Sequence, residues 1–299
     1  MRKDTTHRRG EEAELKMSSP FYQLNYHSKS IVFSEPKIMG VVNCTPDSFY
    51  DGSRFDGRSA AQMAVKMMAQ GADIIDLGGQ SSRPGAHEIS WSEEWVRIQD
   101  PIKRILDLNP EALLSIDTFH AEVAEKALDE GAFMINDIYA GTKDGGAMVD
   151  VIRQRQCPYI IMHMQGQPQT MQSNPQYEDV TSEVTNWFEE RIGSLNSSGI
   201  NQLVIDVGFG FGKSLEHNFR LLRELEKFRA IKLPILVGIS RKSMIWKTLD
   251  STPEKALNGT TALHAWALDR GADLIRVHDV DAAKEVLRLY RSLQGFNGR

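Results

Sequence analysis

Eight short apolar runs recur along the chain at a spacing that few folds can accommodate. They are IMGVVN (38–43), DIIDLGG (73–79), LLSID (113–117), FMINDI (133–138), YIIMHM (159–164), LVIDVG (203–208), ILVGIS (235–240) and LIRVHD (274–279). Each is almost continuously apolar, which suits strands buried on both faces, as in a parallel sheet. Helical patterns fill the intervals. Val180, Val184, Phe188, Ile192 and Leu195 recur at helical spacing with Trp187 beside them. Leu221, Leu222, Leu225 and Phe228 form a second stripe. Ser90 with Glu93 predicts a capping box, Pro101 predicts an interruption and kink in the helix that follows, and Thr252-Pro253 predicts a helix start. The segments Gly71-Ala72-Asp73, Gly131-Ala132-Phe133 and Gly271-Ala272-Asp273 each close a helix and open a strand, with glycine suited to the C′ position.

Eight strand-then-helix units in 299 residues predict one α/β domain, a (β/α)8 TIM barrel running from about residue 36 to 295. An open doubly wound sheet is the alternative, because alternation alone does not establish closure. No linker-like stretch separates the units. The domain is assigned to residues 21–299, and residues 1–20 are read as a poorly ordered extension.

Bulk properties exclude several classes. A net charge of −5 gives no footprint for general nucleic-acid binding. Cys44 and Cys157 are the only cysteines and form no C-x-x-C pair, so neither a disulfide framework nor a cysteine zinc site is expected. No apolar stretch approaches the roughly 20 residues of a membrane helix, and the N-terminus lacks the apolar region of a signal peptide. A reducing cytoplasm is the expected setting.

A barrel of this class places its active site at the C-terminal ends of the strands. Those ends carry Asn43, then Gln80, Ser82 and Arg83, then Asp117, Asn136 with Asp137, His163, Asp206, then Ser240, Arg241 and Lys242, and finally Arg276, His278 and Asp279. Asp137, Asp279 and His163 are each read singly as structural, satisfying neighbours. Taken as a set, the groups suggest a ligand. Arg83, Lys242, Arg276 and His278 suit an anion such as phosphate. Asp117, Asn136 and Asp206 suit a ring bearing N–H donors and a carbonyl, such as an aminopyrimidinone.

The stretch LVIDVGFGFGKS (203–214) tempts a nucleotide reading, but its spacing fits neither phosphate motif. A P-loop needs glycine where Val207 stands, and G-x-G-x-G is not the dinucleotide fingerprint. Gly208, Gly210 and Gly212 are read instead as letting the chain turn closely around a flat ligand beside Asp206. Phe209 and Phe211 could each be wall or core, with Phe211 preferred for the wall.

The blocks MGVVNCTPDSFYDG, DLGGQSSRPGA, LLSIDTFHAEVAEKAL, MINDI, IIMHMQGQPQTMQ, DVGFGFGKSLEHN, VGISRKSM and DLIRVHDV follow one another across the predicted barrel. In that order they resemble the dihydropteroate synthase family of pterin-binding barrels. The resemblance implies a transferase of folate biosynthesis. In its reaction p-aminobenzoate displaces pyrophosphate from 6-hydroxymethyl-7,8-dihydropterin pyrophosphate, by an SN1-like path. It implies Arg83, Asp117, Lys242, Arg276 and His278 as catalytic residues. It implies Asp117, Asn136, Met164, Asp206, Phe211, Lys242 and Arg276 around the pterin, with Met162 able to exchange roles with Met164. Asn43, Ser82, Arg83, Arg276 and His278 are implied around pyrophosphate, with Mg2+ near Asn43. Phe49, Pro84, Ser240 and Lys242 are implied beside p-aminobenzoate, under loops 44–57 and 80–90. A homodimer is implied too; helix faces near Trp246 and Trp266 could serve its interface, yet buried tryptophans read the same way.

The sequence departs from the family pattern at Gln80, where Glu is usual, at Ser82, where Thr is usual, and at Val207, where Pro is usual. Gln80 lacks the charge and is given no catalytic role. Two other readings share the barrel: a pterin-binding methyltransferase module, which would not need the Ser-Arg-Pro and Ser-Arg-Lys-Ser segments, and a catalytically silent binding barrel.

Overall fold

The structure, a computed structural model, describes residues 22–45, 57–81, 85 and 87–295. Residues 1–20, assigned above as an extension, lie outside the described residues. Eight parallel strands close into a barrel: β3 (Lys37–Asn43), β4 (Ile74–Gly78), β5 (Leu114–Asp117), β6 (Met134–Asp137), β7 (Tyr159–Met162), β8 (Leu203–Asp206), β9 (Ile235–Val237) and β10 (Leu274–Val277). β10 pairs with β3, so the sheet has no edge and the open-sheet alternative falls. Helices cover the outside between successive strands.

The strands end earlier than the apolar runs suggest. Runs read to 164, 208, 240 and 279 leave the ladder at Met162, Asp206, Val237 and Val277. Their last residues, Met164, Gly208, Ser240 and Asp279, lie beyond the ladder at the mouth of the barrel.

One element escaped the sequence reading. β1 (Tyr22–Tyr26) and β2 (Lys29–Phe33) form an antiparallel hairpin. Its Leu24, Tyr26, Ile31 and Phe33 are buried. Asn25 donates its N–H to Gln202 Oε1 at 2.7 Å, and Lys29 Nζ donates to the Ala112 carbonyl at 3.0 Å. Both partners precede barrel strands, so the hairpin lies over the N-terminal end, away from the mouth.

The Gly-Ala junctions do more than turn the chain. Gly71, Gly131 and Gly271 have φ of 105°, 102° and 94°, as a helix C′ position requires. Asp73 Oδ2 then accepts the Ile38 N–H, and Asp273 Oδ2 accepts the Ile235 N–H, each at 2.9 Å. These carboxylates tie neighbouring strands together at the bottom of the barrel.

Three helix expectations are corrected. Pro101 does not end its helix, which runs unbroken over Trp91–Leu108. Its ring is buried against the start of the Gly57–Gln70 helix, where packing outweighs the lost hydrogen bond. The Ser90–Glu93 box is half formed: Ser90 Oγ accepts the Glu93 N–H at 3.2 Å, but the Glu93 carboxylate pairs with Arg97 at 2.6 Å instead. Thr252-Pro253 opens only a short 3-10 turn, Pro253–Lys255, and the helix begins at Leu257. Arg241 Nη1 donates to the Pro253 and Glu254 carbonyls, both at 3.0 Å, and holds that turn against the loop after β9.

Strand alternation separates residues that the sequence left together. On β6, Asn136 shares the inward face and Asp137 points out toward the helices. Asp137 is fully engaged there, accepting from the Tyr139 N–H (2.8 Å), the Gly141 N–H (2.7 Å) and the Tyr159 hydroxyl (2.7 Å). The structural reading of Asp137 holds. Tyr159→Phe is expected to destabilise the fold by about 1–3 kcal/mol, since it strips a donor from a buried carboxylate. Urea denaturation checks this, and an unchanged midpoint would remove Asp137 from the fold's supports.

Candidate active site

The inward faces of β4, β5, β6, β8 and β10 bring one charged cluster to the C-terminal end. Arg276 reaches from β10 across β3 to two carboxylates. Its Nε donates to Asp76 Oδ2 at 2.6 Å and its Nη2 to Asp117 Oδ2 at 2.7 Å. Asn136 Nδ2 donates to the same Asp76 oxygen at 3.2 Å. Asp206 closes the ring of groups from β8. Gly238 lies between them: a Cβ there would make ordinary contacts, 3.8 Å from Asp206 Oδ2 and 3.9 Å from Arg276 Cβ.

Burial pushes the Asp117 carboxyl up from its usual value, and the Arg276 guanidinium opposes that rise. Asp206 is likewise raised by burial, opposed first by Lys242 and then by the Gly208 N–H. That N–H donates to Asp206 Oδ1 at 2.8 Å. Burial brings Lys242 down to about 8, with Asp206 holding it up.

The glycine-rich loop after β8 forms one wall. Gly208 has φ of 70°, and a Cβ there would stand 1.9 Å from the His163 carbonyl oxygen. Gly212 has φ of 61°, with the Gln165 carbonyl oxygen 2.2 Å from the same point. These glycines admit the neighbouring loop's backbone. Lys213 and Ser214, which lent the stretch its phosphate-loop look, face elsewhere. Ser214 and His217 make a true capping box on the Leu215–Arg223 helix, both bonds at 3.2 Å. Lys213 is buried and donates to His163 Nδ1 (2.9 Å), His163 O (3.2 Å) and Phe211 O (3.0 Å). Burial lowers Lys213 to about 7, while burial and then Lys213 lower His163 to about 2, which leaves a neutral imidazole to accept the bond. Both of these groups support the wall from behind.

Phe209 goes to the core and Phe211 to the mouth. Phe211 groups with Met162, Met164, Phe119, Ile138 and Tyr139, so both methionines border the same apolar patch. Lys242 donates to the Phe209 carbonyl and sits 4.8 Å from the centre of the Phe211 ring. At the other side Ser240 Oγ lies 3.1 Å from His278 Nδ1 and accepts the His278 N–H at 3.2 Å. Asn43 ends β3 in register with Gly78, which is in register with Asp117.

Some sequence candidates have structural partners instead. Arg241 makes a two-pronged pair with Asp279, at 2.7 and 2.8 Å. Gln80 Oε1 accepts the Ile89 N–H at 2.7 Å. Phe49, Ser82, Arg83 and Pro84 lie outside the described residues. Asp76 is the residue the sequence reading passed over. Its signal was present as an acid inside an apolar run, on the strand face shared with Gly78. Among the described residues no group of three or more His, Cys, Asp or Glu is placed to hold a metal ion, and no helix is long and apolar enough to cross a membrane.

Comparison with known proteins bears on this arrangement. Residues 39–278 match the model of the pterin binding enzyme family. The dihydropteroate synthase of Escherichia coli K12 is 42% identical over 263 residues, covering 87% of this chain and 92% of that protein. The Yersinia pestis dihydropteroate synthase, solved with a sulfonamide drug complex, superposes with a TM-score of 0.86 at 37% identity, over 92% of this chain and 100% of that one. The Xanthomonas albilineans enzyme in complex with 7,8-dihydropteroate gives 0.82 at 34% identity, over 91% and 99%.

The loop geometry predicts unequal costs for two similar substitutions. Gly210→Ala meets no heavy atom nearer than Lys242 Cδ at 3.6 Å and is expected to cost only the left-handed strain, about 1 kcal/mol. Gly208→Ala must also displace the His163 backbone and is expected to cost at least about 3 kcal/mol. Equal denaturation midpoints for the two variants would contradict the loop-on-loop contact.

Proposed function

This chain belongs to the pterin binding enzyme family, and from that premise we propose that it works as a dihydropteroate synthase. It joins 6-hydroxymethyl-7,8-dihydropterin pyrophosphate to p-aminobenzoate, giving 7,8-dihydropteroate and pyrophosphate. The observation that supports this best is the convergence of Asp117, Asn136, Asp206, Lys242 and Arg276 on one mouth.

The chemistry follows from what each group can donate or accept. Asp117 and Asp206 accept N–H donors of the pterin and favour positive character on the ring. Lys242 donates to a ring acceptor from above the Phe211 edge of the pocket. Met164 and Phe211 supply the apolar wall for the ring's face. Arg276 and His278, with Asn43, Ser82 and Arg83, take the diphosphate, where negative charge grows as the C–O bond breaks. The electron-rich ring stabilises the methylene cation, so the path is SN1-like. The amine of p-aminobenzoate is largely neutral near pH 7 and needs no general base. Phe49, Pro84, Ser240 and Lys242 are proposed to border it, which is also where a sulfonamide would compete.

Mg2+ prefers oxygen ligands and keeps several waters. A lone Asn43 amide oxygen, with no clustered carboxylates among the described residues, fits an ion that arrives on the diphosphate better than one held in a protein cage. Bound there, Mg2+ would supply charge neutralisation for the leaving group. A homodimer and a cytoplasmic location complete the proposal; Trp266 is 46% exposed on the helix Leu257–Asp269, where a partner could cover it.

Mixing the purified protein with both substrates and Mg2+ is expected to release pyrophosphate and form dihydropteroate. Pterin binding with no release would support the silent barrel instead. A pH dependence follows from Lys242. Its proton is lost as pH rises through about 8, so affinity for 6-hydroxymethyl-7,8-dihydropterin is expected to weaken above that pH. In Lys242→Arg the cation persists, and the alkaline limb should vanish. Calorimetry at several pH values compares them, and parallel declines in both proteins would acquit Lys242.

A further inference from the structure

Asp76 has no role in the reading above, yet it touches two of the groups that reading depends on. It is 0% exposed and lies inside the barrel at the middle of β4, in register with Val41 and Ser115. One oxygen, Oδ2, receives both Arg276 Nε and Asn136 Nδ2. The other, Oδ1, finds no partner among the described residues, and neither does the Ser115 hydroxyl beside it. A fully buried carboxylate with half its acceptors unused is costly for stability alone. Its geometry is better explained by what it orients.

Two consequences follow from that single oxygen. Asn136 must turn its NH2 toward Asp76, because the reverse rotamer would set the amide oxygen against a carboxylate oxygen. That fixes the amide oxygen of Asn136 as the atom left to receive a ligand donor. Arg276, for its part, is gripped at Nε as well as at Nη2, so its plane cannot rotate about the Asp117 contact. We propose that Asp76 is a positioning residue for the synthase reaction: it aims Arg276 across the mouth and presents the Asn136 carbonyl to an N–H donor of the pterin. It touches neither substrate. This specifies which groups the site reads: a ring with a donor opposite Asn136 is accepted, and one with an acceptor there is opposed.

The inference rests on the synthase reading, which turnover by the unaltered protein tests separately. Asp76→Asn keeps the shape and removes the charge. It is expected to weaken pterin affinity by about tenfold and to lower kcat by more than about tenfold. The KM for p-aminobenzoate should stay within about twofold of the unaltered protein. Unchanged kcat and pterin affinity would overturn the proposal. So would a parallel change in the p-aminobenzoate KM, since that marks general damage. If Asp76→Asn leaves Arg276 with only the Asp117 carboxylate and the protein fails to fold, Asp76→Leu with Arg276→Met removes both charges and the acceptor together. That double variant is expected to bind pterin several-fold more weakly than Arg276→Met alone, because Asn136 has lost its anchor. Equal affinity in those two would refute the orientation of Asn136 by Asp76.

Discussion

The contact of Arg276 with Asp76 and Asp117 depends on barrel closure and organises everything above it. In an open sheet with these strands in order, β10 would lie at one edge, with β5 five strands and β4 six strands away from it. Pairing of β10 with β3 brings the arginine within reach of both acids. Buried charges cost several kcal/mol each unless they are paired and hydrogen-bonded. The barrel meets that demand by drawing each partner from a different strand, so the site's electrostatics and the fold's topology satisfy one another.

Much of this was readable in the sequence. Eight apolar runs give the strand number, and their polar ends give Asp117, Asn136, Asp206, Lys242 and Arg276 as one rim. Asp76 was not readable in the same way, because DIIDLGG contains two acids. Asp73 sits below the strand and ties the Ile38 N–H, whereas Asp76 faces the interior. Only register and parity separate them. The N-terminal hairpin was missed for another reason. YQLNY and KSIVF bury only two residues each and leave the others exposed or half-buried, which is a weaker signal than the continuous runs of the barrel. Thr252-Pro253 misled because a start signal was met by a tertiary tie, the Arg241 bonds to the carbonyls just beyond it.

The loop GFGFGKS shows how the same residues can answer to different physics. Its glycines could have admitted phosphate oxygens; here Gly208 and Gly212 admit the backbone of the loop after β7. Lysine is normally solvated, so nothing in the sequence indicates that Lys213 turns inward. It does so because two carbonyls and a neutral imidazole offer one acceptor for each ammonium proton. The result joins the β7 and β8 loops behind Phe211, and so fixes the wall against which a flat ring would rest.

The proposed reaction separates charge along one bond, and the mouth is graded to match. Asp76, Asp117 and Asp206 gather where the ring would become positive, with Lys242 beside Asp206, while His278 stands next to Ser240 toward the proposed diphosphate site. Arg276 stands at the junction and belongs to both ends. A free arginine there would have to turn from the carboxylates to the leaving group as charge moved, losing time and energy to reorganisation. Held through Nε and Nη2, it keeps one edge on the acids and leaves Nη1 for the anion. Stabilisation of a transition state by groups already in place is worth more than stabilisation by groups that must move. On that argument Asp76 serves turnover chiefly by keeping the arginine still, and Asp117 helps it beside its proposed contact with the ring.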